Sequence, residues 1–131
     1  MTKMLLTGVA ALALTAGLAN AGGHLAFNPG EGDFNWDSLT AFAEANDFTG
    51  QELSITGAWT GTEKERVENV FKYFTEATGA TVVYSGSDSF EQDIVISAKA
   101  GSAPNLAAFP QPGLAADMAS QGLLTPLPAG M

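Results

Sequence analysis

The stretch Gln51–Gly79, QELSITGAWTGTEKERVENVFKYFTEATG, sets the architecture expected for the whole chain. Its early part, Leu53–Ala58, is short, β-prone and partly apolar, which predicts a buried strand. Glu63–Thr78 has apolar residues at helical spacing, which predicts an amphipathic helix that stops at Gly79. The segment between them, Trp59–Thr62, is a polar loop. Because ligands of open α/β sheets bind just past the carboxyl end of a strand, this loop is the first candidate site.

The predicted helix carries two further signals. Thr62 and Glu65 stand at T-x-x-E spacing, which predicts a capping box at the start of the helix. Apolar side chains recur at i, i+3, i+4, i+7 and i+11 along one stripe, which is expected to face the sheet. The residues of this stripe are Val67, Val70, Phe71, Phe74 and Thr78.

The strand and helix pattern then recurs twice. Ala80–Tyr84 and Leu106–Phe109 predict a second and a third strand, and Ser89 and Pro112 begin the helices that follow them. Right-handed crossovers would place the first strand between the other two. The expected fold class is therefore α/β, with three layers and a partial doubly wound parallel sheet that helices cover on both faces.

The start of the chain predicts a secretory signal. Lys3 precedes the apolar run Met4–Leu18, and Ala19–Ala21 has the A-x-A form of a cleavage site. The run is shorter than the about 20 residues that span a bilayer. We expect residues 1–21 to be a cleaved signal peptide, with an uncleaved N-terminal anchor as the alternative.

Residues 22–50 are expected to form an N-terminal extension with one short helix. The helix would run from about Trp36 to Ala45, and Asp33 or Asn35 would cap it. Its apolar residues fall at helical spacing, which is more typical of a packing face than of a binding face.

Composition excludes several classes of function. The chain has no Cys, which excludes a disulfide and a Cys–Zn site. Its single His24 lies near the start of the chain, which argues against a His-based metal cluster and against a Ser-His-Asp triad. The net charge of −9 becomes −10 once Lys3 is removed with the signal peptide, which repels a phosphate backbone and argues against nucleic acid as a partner. The glycines match neither a Walker loop nor a dinucleotide fingerprint, and we expect no cofactor and no metal.

Polar loops follow all three predicted strands, and they emerge on one side if the strands are parallel. They supply an aromatic ring, two carboxylates and an amide, from Trp59, Glu63, Asp88 and Gln111. An aromatic face stacks on the C–H face of a sugar while polar groups bind its hydroxyls, so this mixture favours a sugar site. Alternatives remain: Trp59 could fill a gap between strand and helix, and the two acids could serve only helix N-termini or act as glycosidase carboxylates.

Four motifs then give the chain a resemblance to a known family. They are W-T-G-x-E at Trp59–Glu63, T-G-x-x-V-x-Y at Thr78–Tyr84, S-x-S-D-S-F-E at Ser85–Glu91 and A-P-N-L-A-x-F-P-Q-P-G at Ala103–Gly113. Over about Gln51–Leu127 the chain resembles the start of an extracellular solute-binding protein of sugar ABC transporters. Within that family it most resembles the α-glucoside-binding branch.

The resemblance implies a fold of two α/β lobes that close on the ligand by a hinge motion. Residues 51–131 would be the N-terminal part of the first lobe, so we expect an N-terminal fragment without the second lobe. One departure from the family is Asn105, where many relatives have an acid after Ala-Pro. The resemblance places the following residues on the cleft wall: Trp59, Thr60, Glu63, Ser87, Asp88, Pro110, Gln111 and Pro112.

The function that the resemblance implies is binding without catalysis. The protein would be the periplasmic substrate-binding component of a carbohydrate ABC transporter, a monomer that delivers an α-glucoside or related oligosaccharide to a permease in the inner membrane. Because half a cleft cannot bury a ligand, we expect the chain alone to bind sugar weakly or not at all. Two alternatives remain: an exported glycan-processing enzyme that uses Glu63 and Asp88, and a non-functional truncated remnant.

Overall fold

The computed structural model describes residues 25–129, so the predicted signal peptide and His24 lie outside the described residues. Among the described residues, no helix is both long and apolar enough to cross a membrane. The predicted order, a helix followed by β-α-β-α-β-α, is confirmed. The elements are α1 (Asp37–Ala45), β1 (Glu52–Gly57), α2 (Gly61–Thr78), β2 (Thr81–Gly86), α3 (Phe90–Lys99), β3 (Leu106–Ala108) and α4 (Pro112–Ser120).

The three strands form one parallel sheet in the order β2-β1-β3. The first strand is therefore central, as right-handed crossovers predict. Gly57, the last residue of β1, pairs with Gly86 of β2 and with Ala108 of β3. The carboxyl ends of all three strands consequently lie level with one another at a single edge of the sheet.

Helices cover the two faces of this sheet. Ile55 and Tyr84 are paired neighbours on one face, where the ring of Phe71 from α2 lies 6.0 Å from that of Tyr84. Thr56 and its partner Ala107 point to the other face, because successive strand residues alternate. On that face α3 and α4 form a small core. It consists of Phe90, Ile94 and Met118, which are 2%, 3% and 1% exposed.

Helix α1 packs on the outer side of α2 through aromatic rings and buries none of its residues fully. The ring of Phe42 lies 6.0 Å from Phe74, and that of Trp36, just before α1, lies 5.5 Å from Tyr73. The prediction of a packing face is therefore confirmed. The residue at the N-cap is Trp36, so the prediction that Asp33 or Asn35 caps the helix is wrong, although Oδ1 of Asn35 accepts a hydrogen bond from the backbone N–H of Asp37.

The start of α2 differs from the predicted capping box. The helix begins two residues earlier than expected, at Gly61, whose φ of 52° lets the backbone turn directly out of the extended Thr60. Thr62 consequently lies inside the first turn, and the prediction that it caps the helix with Glu65 is wrong. The predicted stop is confirmed, because Gly79 takes the left-handed conformation with φ 74°.

Two other predictions, the end of β2 and the buried stripe of α2, differ from the structure. Strand β2 continues to Gly86, so Ser85 and Gly86 belong to the sheet and not to the loop after it. The stripe on α2 also fails at Val70, whose side chain is 64% exposed. In contrast, Thr78 at the end of the same stripe is only 3% exposed and donates a hydrogen bond to the carbonyl of Phe74.

Asn105 has a structural role at the amino end of β3. Its Oδ1 accepts hydrogen bonds from the backbone N–H of Ser54 at 2.9 Å and from the Ser54 hydroxyl at 2.8 Å. The hydroxyl oxygen of Ser54 in turn accepts the N–H of Asn105. These bonds tie β3 to β1 at the edge of the sheet opposite the polar loops. An aspartate could accept the same two bonds.

Candidate functional site at the carboxyl edge of the sheet

Three loops meet at the carboxyl edge of the sheet. They are Ala58–Thr60 after β1, Ser87–Ser89 after β2 and Phe109–Gln111 after β3. The backbone N–H of Ser87 donates to the carbonyl of Gly57 at 3.0 Å, which joins the second loop to the end of the first strand. The convergence expected from a parallel sheet is therefore present in the structure.

Trp59 presents part of its ring at this edge while its backbone is held from below. Its side chain is 40% exposed, and its ring centroid lies 6.3 Å from that of Tyr84 at an angle of 37°. The backbone N–H of Trp59 donates to the Tyr84 hydroxyl at 3.1 Å, and that hydroxyl donates to the Trp59 carbonyl at 3.2 Å. The ring is consequently neither buried as a core residue nor loose on the surface.

A hydrogen bond between Thr60 and Asp88 joins the first two loops. The Thr60 hydroxyl donates to Oδ1 of Asp88 at 3.0 Å. Thr60 is the residue before α2, yet its side chain makes no bond to the helix backbone. This geometry orients the carboxylate and leaves Oδ2 of Asp88 and the remaining lone pairs for other donors.

The Ser87 hydroxyl is bonded both to α3 and within its own loop. Its hydroxyl donates to Oδ2 of Asp93 at 2.6 Å and accepts the backbone N–H of Ser89 at 3.1 Å. A hydroxyl has one proton, so Ser87 could offer a ligand only its remaining lone pair. Asp93 was not singled out from the sequence, where its position in the first turn of a helix indicates only a favourable helix dipole interaction.

A shallow depression of about 250 Å³ lies between the second and third loops. Of the predicted site residues, it brings together Asp88 and Pro110, and its other lining residues are Ala58, Ser89, Phe90, Glu91 and Gln92. Glu63 lies in the first turn of α2, Gln111 is the N-cap of α4 and Pro112 is the first residue of that helix. Six of the predicted site residues do not line the depression: Trp59, Thr60, Glu63, Ser87, Gln111 and Pro112.

The charge of the edge is negative or neutral. None of the three loops contains Lys or Arg, while Asp88 lies in the second loop and Glu63 and Glu91 lie in the helices that follow the first two loops. Lys64, which follows Glu63, is paired with Glu68 at 3.7 Å. The pKa of Tyr84 lies above its ordinary value. Burial is the main cause; the hydrogen bond from Trp59 opposes the rise in pKa, and the charges of Glu63 and Glu68 add to it. Among residues 25–129 no group of three or more metal-ligating side chains is close enough to hold an ion. Such an edge suits a neutral or cationic ligand.

Two curated proteins are similar to this chain, while no protein-family model matches it. The chain is 51% identical over 133 aligned residues to the alpha-glucosides-binding periplasmic protein AglE of Rhizobium meliloti (strain 1021), across 97% of the chain and 29% of that protein. It is 47% identical over 77 residues to the osmoprotective compounds-binding protein GgtB of Synechocystis sp. (strain ATCC 27184 / PCC 6803 / Kazusa), across 59% of the chain and 18% of that protein. The chain thus spans less than a third of the length of these relatives.

Proposed function

We propose, from the premise that this chain is homologous to one part of periplasmic solute-binding proteins, that it forms one wall of the binding cleft of such a protein. The ligand is an α-glucoside or a related oligosaccharide, which is bound in the periplasm and passed unchanged to an ABC permease of the inner membrane. The ligand class follows from the relative with higher identity and coverage, which is named for α-glucosides.

The observation that carries this proposal is the joint placement of Trp59, Thr60 and Asp88 at one edge. Trp59 offers an aromatic surface on which the C–H face of a pyranose ring can stack. Asp88, oriented by Thr60, offers acceptor sites to the hydroxyl groups at the rim of the same ring. The absence of Lys and Arg from the three loops favours an uncharged ligand over an anionic one.

The other predicted site residues support the proposal as parts of the same wall. Pro110 lines the depression beside Asp88, and Gln111 follows it with an exposed amide that can donate and accept hydrogen bonds. Ser87 contributes chiefly by shaping the loop through Asp93. Glu63 and Pro112 stand at the starts of α2 and α4, where they flank the edge.

The depth of the site indicates how strongly this wall binds alone. Binding sites commonly bury about 70–90% of a small ligand's surface. The depression at Asp88 is open to solvent, and Trp59, which is 40% exposed, lies outside its lining. We therefore propose that high affinity requires a second wall and that the chain alone binds sugar weakly.

A hybrid protein tests the function. In it, residues 25–129 of this chain replace the aligned segment of the Rhizobium meliloti relative, and maltose and trehalose are titrated by calorimetry. We expect binding, and we expect Trp59→Ala to weaken it about tenfold, since loss of an aromatic stacking surface costs roughly 0.5–1.5 kcal/mol beyond the area buried. Trp36→Ala is the matched control because Trp36 packs on Tyr73, away from the edge. A hybrid that binds equally well with Trp59→Ala, or a folded hybrid that binds neither sugar, would refute the proposal.

A further inference from the structure

Tyr84 occupies the space beneath the Trp59 loop. It lies in β2, its side chain is 5% exposed, and its ring lies 6.0 Å from that of Phe71 and 6.3 Å from that of Trp59. Its hydroxyl passes over the end of β1, where a Cβ on Gly57 would stand only 2.8 Å from it. A glycine at position 57 therefore leaves the space that the Tyr84 hydroxyl occupies.

The Tyr84 hydroxyl takes over backbone bonding where the strand ladder ends. Trp59 lies two residues beyond the end of β1, so no strand partner bonds its N–H and C=O groups. The hydroxyl accepts from that N–H at 3.1 Å and donates to that carbonyl at 3.2 Å. Both bonds join one side-chain oxygen to one residue, so they restrict where the backbone of Trp59 can lie.

The end of β2 restricts the same backbone from a second direction. A Cβ built on Gly86 would stand 1.9 Å from the Trp59 carbonyl oxygen and 3.0 Å from its carbonyl carbon. Only a residue without a side chain allows this approach. The Trp59 carbonyl thus lies against the backbone of Gly86 and accepts the hydrogen bond from the Tyr84 hydroxyl.

We propose that Tyr84 is a positioning residue of the sugar site, which does not touch the ligand but fixes the Trp59 ring through two hydrogen bonds to the Trp59 backbone. The purpose of the positioning rests on the proposed function, whereas the positioning itself rests on the geometry of Tyr84 alone. Tyr84→Phe removes both bonds and keeps the packing of the ring against Phe71.

The chain contains a matched control in its only other tyrosine. The hydroxyl of Tyr73 also accepts the N–H and donates to the carbonyl of a single residue, Phe27, at 2.9 and 3.0 Å. Tyr73 lies on the outer side of α2, next to Trp36 and away from the polar loops. Tyr73→Phe therefore deletes the same chemical group and the same kind of bonds without reaching Trp59.

The first measurement is hydrogen exchange of backbone amides in the full 131-residue chain, followed by NMR. We expect Tyr84→Phe to speed exchange of the Trp59 amide at least about fivefold, the equivalent of one hydrogen bond of about 1 kcal/mol. Amides in the centre of β1 should keep their rates. Tyr73→Phe should speed exchange at Phe27 and leave Trp59 unchanged. Equal Trp59 exchange in the Tyr84→Phe and unchanged chains would overturn the inference.

The second measurement is sugar affinity in the hybrid protein described above. We expect Tyr84→Phe to weaken maltose or trehalose binding about fivefold or more, with Tyr73→Phe unchanged and both variants cooperatively folded. If the unchanged hybrid binds and Tyr84→Phe binds equally well, the positioning role is refuted while the proposed function stands. If the unchanged hybrid does not bind, the proposed function fails. The exchange rate of the Trp59 amide in Tyr84→Phe then still tests whether Tyr84 fixes the Trp59 backbone.

Discussion

Replacement of Gly86 by alanine should damage the Trp59 loop although the backbone itself can accept an alanine. Gly86 is not among the glycines with positive φ, so a side chain there causes no backbone strain. The obstacle is the Trp59 carbonyl oxygen, 1.9 Å from the new Cβ, when real contacts essentially never fall below 3.0 Å. The Trp59 carbonyl or the end of β2 must therefore move by more than about 1 Å.

The size of the effect follows from what such a movement breaks. The two hydrogen bonds between Trp59 and the Tyr84 hydroxyl are 3.1 and 3.2 Å long, and a displacement of that size ends both. Two hydrogen bonds contribute together about 1–3 kcal/mol, and a buried hydroxyl left without partners moves the cost towards the upper end. Replacing a glycine by alanine at an unstrained position stabilises a protein by about 0.4–1 kcal/mol, because the unfolded chain has less conformational entropy. We expect a net loss of about 1–2.5 kcal/mol in the free energy of unfolding.

Urea unfolding monitored by circular dichroism and by tryptophan fluorescence measures this loss. Gly113→Ala is the control, because Gly113 lies in the first turn of α4, has no positive φ and would place its Cβ in open space. That variant should be more stable than the unchanged chain by about 0.5–1 kcal/mol, since alanine favours a helix over glycine. A Gly86→Ala chain as stable as the Gly113→Ala chain would refute the reasoning about the Trp59 carbonyl.

Three further predictions concern the stability of the fold. Burial raises the pKa of Tyr84 above its ordinary value of 10.0, so the unfolded chain loses this proton at a lower pH than the folded chain does. The free energy of unfolding should therefore fall as pH rises above about 10, and the fall should be smaller in Tyr84→Phe. Urea titrations at about pH 9 and about pH 11 measure the difference. Phe90→Ala should cost about 3–5 kcal/mol by thermal or urea unfolding, because Phe90 is 2% exposed in the core, whereas Phe34→Ala, at 57% exposed, should cost less than about 1 kcal/mol. Asn105→Asp should change stability by less than about 0.5 kcal/mol because it keeps the oxygen that accepts from Ser54, while Asn105→Ala should cost about 1 kcal/mol. Equal losses of stability in the two variants would contradict the role of Oδ1.

The order of the elements could be predicted because each is encoded locally. The helical spacing in α2 and the glycine that ends it lie within one continuous stretch, and Gly79 takes the predicted left-handed conformation. The position of β1 between the other strands followed from right-handed crossovers whose helices cover opposite faces of the sheet. The convergence of the three polar loops then followed from the parallel sheet.

Contacts between distant parts of the chain could not be predicted in the same way. Thr62 matched a capping motif, but the helix begins at Gly61, and the hydroxyl of Thr60 bonds Asp88, 28 residues away. Val70 matched the apolar stripe, yet periodicity does not say which part of a stripe another element covers. The two bonds between Tyr84 and Trp59 likewise join residues 25 positions apart, so no local sequence pattern predicts them.

The location of the proposed sugar site can be measured on this chain without any partner segment. Maltose at high concentration is added to the isotope-labelled 131-residue chain, and the amide chemical shifts are followed by NMR. We expect weak, saturable shifts at Trp59, Thr60 and Asp88, with no change at Asn105 on the opposite edge of the sheet. Shifts that cluster around Asn105, or no shift at Trp59 when other amides saturate, would contradict a sugar site at the carboxyl edge.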